Sequence, residues 1–112
     1  MTDESGPRPG AGAVVLAPVG ELDLAATPRL RELLHSAYAP GATIVLDYAE
    51  VIFLDSSALA VVLSAERRLR SSGGSLRLVN VGEEVLRVLR ICGLAERLVR
   101  DRPVLVPVPS LS

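Results

Sequence analysis

Residues 51–63 read VIFLDSSALAVVL: an apolar run, a short polar break, then a second apolar run. Few arrangements satisfy that pattern. A buried strand or strand-like segment that stops at Leu54 and turns at once into a helix does so. Asp and Ser side chains accept the free N–H groups of a helix's first turn. Asp55 and Ser56 therefore compete for the cap, with Ser57 inside the first turn. A hydroxyl there stands at the positive end of a helix dipole, where added negative charge is tolerated. Ser56 is thus a candidate phosphate acceptor, although plain capping accounts for the same residues.

The flanking chain alternates strand and helix patterns. Residues 1–12, MTDESGPRPGAG, lack periodicity and are expected to form a disordered tail. Ala13 to Val19 reads as a strand, and Gly20 marks a turn or bulge before Glu21 to Leu24. Thr27-Pro28 starts a first helix, with Thr27 as cap and Pro28 where a missing N–H costs nothing. Its stripe is Leu30, Leu33, Leu34 and Ala37, with His35 off it, and Pro40-Gly41 ends it. Thr43 to Leu46 has the look of a strand buried on both faces.

The second helix is predicted over Ser57 to Arg70. Ala58, Val62, Ala65 and Leu69 form one stripe. Leu59 and Leu63 lie on a neighbouring arc that runs into Glu66, Arg67 and Arg70. Two explanations stand side by side: burial at one end only, or apolar surface offered to a partner. Ser75 to Val79 is a further strand, so that strand, helix and strand make a parallel, right-handed crossover. A third helix opens with Glu83 and Glu84. Its stripe is Val85, Val88, Leu89 and Cys92, which makes Cys92 a small core residue, and Gly93 is its left-handed stop. Leu94 to Val99 adds a short helical turn. Pro103 to Val108 is an edge strand at most, and residues 109–112 are a tail. One domain, 13–108, fits a chain of 112 residues.

Composition removes several function classes. The formal net charge is −1, which gives no pull toward nucleic acid or an anionic membrane. Every basic residue is Arg, so no mechanism that needs a Lys is available. The single Cys makes no internal disulfide, and with no signal peptide this points to a cytoplasmic setting. No apolar run approaches the ~20 residues of a membrane span. Scarce aromatics argue against base stacking and an aromatic-lined pocket. One His has no Cys or second His with which to share a metal, and no G-x-S-x-G accompanies the serines. No catalytic set, metal site or cofactor loop emerges.

Three segments, in order, resemble the STAS domains of bacterial anti-sigma factor antagonists. Val45 to Val62, VLDYAEVIFLDSSALAVV, is similar to the family's strand, loop, D-S-S/T-G-L and helix. Gly20-Glu21-Leu22-Asp23-Leu24 is similar to its G-E-L-D. Leu78-Val79-Asn80, with Val85 to Leu89 and Cys92-Gly93-Leu94, resembles its later strand and helix. The resemblance spans roughly residues 13–101, and Ala58 stands where the family usually has Gly.

The resemblance implies an α/β fold: a STAS-like mixed β-sheet of about four to five strands, with helices packed mainly on one face. It implies a regulatory module and not an enzyme. The unphosphorylated form would bind an anti-sigma factor that is itself a serine kinase, and so free a sigma factor. Phosphorylation at Ser56 would switch it off, and a serine phosphatase would restore it. Asp23, Asp55, Ser57, Ala58, Leu59 and Leu63 would then serve partner binding. Ala58 adds a methyl at the mouth of the helix, where it would weaken docking while favouring the helix. The alternative is a STAS subunit that docks on the ATPase of an ABC-type transport system.

Overall fold

The computed structural model describes residues 13–99 of the 112-residue chain. The expected tail at 1–12, the edge strand at 103–108 and the tail at 109–112 lie outside the described residues. The described part runs β1 (Ala13–Leu16), β2 (Gly20–Leu22), a 3-10 turn (Leu24–Ala26), α1 (Thr27–Ala37), β3 (Thr43–Asp47), β4 (Val51–Leu54), α2 (Ser56–Ser71), β5 (Ser75–Val79), α3 (Glu83–Ile91) and α4 (Ala95–Leu98). This is the expected α/β architecture with five strands.

The strands form two sheets, one ordered β1-β3-β5 and the other pairing β2 with β4. Every described strand pairing is parallel. Crossover helices explain that choice, because parallel neighbours need a long return path. The predicted crossover needs correction here. β4 and β5, on either side of α2, belong to different sheets, and the adjacent parallel neighbours are β1 with β3 and β3 with β5. Gly20 is a bulge as expected. Its φ of 91° suits glycine, and the β2–β4 register shifts between Gly20 and Glu21.

β3 is not buried on both faces. Ile44 and Leu46 are buried, whereas Thr43, Val45 and Asp47 are half-exposed. The register explains this. Ile44 aligns with Leu76, and Leu46 with Leu78, on the face under the helices. Val45 sits between exposed Val15 and exposed Arg77 on the other face. Helices thus cover one face, as expected. α2 packs on β5 and α1, and α3 packs on β4.

Local chemistry sets the helix ends. Thr27 does not cap α1; its Oγ1 donates to the Leu24 carbonyl at 2.9 Å and joins the 3-10 turn to the helix. α3 ends at Cys92, followed by Gly93 at φ 73°, and Leu94 N–H returns to the Leu89 carbonyl at 2.8 Å. Cys92 is exposed, not core, because it caps the helix instead of continuing the Val85–Leu89 stripe. α4 seats Leu98 in the core, and Val99 bridges to Leu78. Among the described residues no helix is long and apolar enough to cross a membrane.

Candidate functional site

The ends of β2 and β4 build the site. Leu22 and Leu54 are register partners, so Asp23 and Asp55 each come directly after a paired residue, at neighbouring strand ends. The Asp55 N–H donates to the Leu22 carbonyl at 3.1 Å and ties the two segments together. Each Asp then caps a helical turn. Asp23 Oδ1 accepts from the Ala26 N–H at 3.2 Å and starts the 3-10 turn. Asp55 starts α2, which begins at Ser56, one residue earlier than predicted.

The competition for that cap is resolved. Asp55 Oδ1 accepts from the Ser57 N–H at 3.0 Å, the Ala58 N–H at 3.1 Å and the Ser57 hydroxyl at 2.6 Å. These bonds hold the Asp55 carboxyl below its ordinary range. The Ser57 hydroxyl is the main cause and the Ala58 N–H the next, with smaller help from the Ser57 and Leu24 backbone against a partial loss of water. Ser57 is therefore committed to the cap. Ser56 is the first residue of α2 and exposed, and its hydroxyl has no hydrogen-bond partner among the described residues. The two serines differ in availability, a distinction that spacing alone does not reveal.

Two of the expected partner residues need correction. Ala58 is 0% exposed and Leu59 6% exposed, both within the core cluster. Their side chains offer nothing to a partner, so the Ala58 methyl fills space inside the domain and does not obstruct its surface. The off-stripe arc fails as a guide because α2 packs against β5 and α1 together, which widens its buried face. Leu63 is half-buried against the core and retains some outward surface. Leu24, beside Asp23 at the end of the G-E-L-D segment, is exposed, and nothing in the sequence pattern marks it for a role. Among the described residues no cluster of His, Cys, Asp and Glu is arranged to hold a metal.

These features define a small α/β domain that presents an exposed serine at a strand-to-helix turn, directly after an acidic cap and with a second acidic cap at the neighbouring strand end. The chain belongs to the STAS domain family, whose model matches residues 8–104. It is 34% identical over 77 residues to the anti-sigma-B factor antagonist of Bacillus subtilis, covering 69% of this chain and 71% of that protein. Two solved structures of the anti-sigma factor antagonist SpoIIAA are also similar, each at 28% identity. The unphosphorylated form superposes with a TM-score of 0.66 over 80% of this chain and 78% of that one. The phosphorylated form, from Bacillus, gives 0.62 over 80% and 81%.

Proposed function

We propose that this protein is an anti-sigma factor antagonist switched by phosphorylation at Ser56. The observation that carries the reading is the free, exposed hydroxyl of Ser56 at the start of α2, in a chain similar to an antagonist known in both phosphorylated and unphosphorylated forms. The unphosphorylated form binds an anti-sigma factor, a serine kinase, and releases its sigma factor. The kinase transfers phosphate to Ser56, and a serine phosphatase removes it. The chain is substrate and ligand, not enzyme, and acts in the cytoplasm. Asp55 beside the acceptor, Asp23 at the neighbouring strand end and Leu63 about two turns along α2 contribute to the docking surface. Ser57 contributes indirectly, by fixing the Asp55 carboxylate.

A phosphate carries ~1.5–2 negative charges at neutral pH. The N-terminus of α2 attracts it by about 0.3–1 kcal/mol, while Asp55 and Asp23 repel it. In water these opposing effects are small, and the fold persists. Against a partner the phosphate must lose water and fill contact volume, and ~1.4 kcal/mol already weakens binding tenfold. Ser56→Asp should therefore fold normally and bind the kinase at least about tenfold more weakly. Ser56→Ala should bind and resist phosphorylation. Calorimetry of both variants, with intact mass after kinase treatment, tests this. Equal affinity of Ser56→Asp and wild type, or phosphate on Ser57 with Ser56 intact, overturns it. A transport-system subunit would be no substrate of the kinase at all.

A further inference from the structure

We propose that the groove between α1 and α2 is a binding site for small amphipathic carboxylates. It is a cavity of about 420 Å³, within the ~300–1,000 Å³ that small-molecule sites span. Its accessible apolar lining is the half-buried Tyr38 ring and Ala65, with core residues Leu34, Ile44 and Leu69 directly beneath. Its walls carry cations on opposite sides. Arg31 projects from α1, with His35 one turn further on, and Arg68 faces them from α2. Arg68 is steadied by the Tyr38 ring, with its guanidinium carbon 4.3 Å from the ring centroid.

Neither Arg31 nor Arg68 is paired with a carboxylate among the described residues, whereas Arg70, Arg87 and Arg97 are. Among the described residues the one acid on the groove is Glu32. An apolar body can therefore lie against Tyr38 and Ala65 while a carboxylate reaches a guanidinium, whose planar fork matches its two oxygens. A neutral ligand would leave both guanidiniums unused, and a cation would meet them. Ser64, on the α2 wall, lies eight residues past Ser56, or about 12 Å along the helix. The groove is thus separate from the phosphorylation site, and the proposal does not depend on it.

Titration with hexanoate, monitored by amide shifts in two-dimensional NMR of the full chain, tests this. Saturable shifts are expected at Ser36, Tyr38, Ser64 and Ala65, and hexanamide should produce much weaker ones. Arg31→Gln with Arg68→Gln should weaken hexanoate about fivefold or more, a modest figure because both guanidiniums are exposed. Arg77→Gln, on the opposite sheet face, should leave binding unchanged. Arg31→Gln alone is the safeguard if loss of the Arg68–Tyr38 contact disturbs the fold, and it too should weaken binding. Absence of saturation, equal binding of hexanamide, shifts centred elsewhere, or an unchanged affinity in the arginine variants overturns the proposal.

Discussion

Asp55 and Ser57 share a hydrogen bond of 2.6 Å, and that bond separates the roles of two adjacent serines. It also gives the cap a pH dependence with a definite sign. The Asp55 carboxyl is held below its ordinary value in the fold. Its contribution to stability is therefore complete above the unfolded value of about 3.9 and is lost as pH falls through the lower folded value. Urea unfolding from pH 6 to pH 2 should show Asp55→Asn less stable than wild type at the upper end, with the gap narrowing toward the lower. A constant gap would mean that the carboxylate charge is irrelevant to the cap. Tyr48 presents the opposite case. It is 1% exposed, its hydroxyl has no hydrogen-bond partner among the described residues, and burial pushes its phenol far above the usual range. A buried polar group left unsatisfied costs about 1–3 kcal/mol. Tyr48→Phe should accordingly be neutral or stabilising in thermal unfolding, and a clear loss would reveal a partner for that hydroxyl.

At the level of elements, α2 differs most from its sequence pattern. Glu66 falls on the arc that leads into arginines and reads as solvated, yet it is buried at 7% exposure. Arg97 of α4 meets its Oε1 at 2.9 Å, and Arg70 meets its Oε2 at 3.3 Å. The Arg70 partner was open to inspection as an i,i+4 pair. Arg97 was not, because it lies 31 residues away and only the fold brings it near. The same limit explains Leu59. Periodicity gives the centre of a buried face, but its width depends on how many neighbours pack against it. β5, the α3 start, the Gly20 bulge and the Gly93 stop were legible because each is set by local backbone chemistry. The site was legible as a cap; which serine stays free was decided by side-chain geometry. Leu59→Ala should cost ~2–5 kcal/mol, as fully packed core sites do. Leu63→Ala, half-exposed, should cost clearly less and fall more heavily on partner affinity. Denaturant midpoints and calorimetry on both variants decide it; equal destabilisation would place Leu63 in the core and remove it from the docking surface.

Across the whole molecule, two distant chain segments have to meet before the site exists. Asp23 directly follows β2 and Asp55 directly follows β4, and their alignment depends on the parallel pairing of Gly20–Leu22 with Val51–Leu54. Parallel strands cannot pair through a tight turn, so α1 and β3 intervene and the contact is long-range. The Asp55–Ser57 cap is local, but the approach of β2 and Asp23 to that cap is a product of tertiary folding. A peptide of residues 50–62 keeps every residue of the D-S-S segment but loses β2 and Asp23. It should be phosphorylated far more slowly than the folded chain by the same kinase, and comparable rates would show that the local sequence suffices. If the peptide fails, the proposed switch would also act as a proofreading step: a nascent or damaged copy, lacking the β2–β4 seam, would neither consume ATP at the proposed kinase nor count as a competent antagonist.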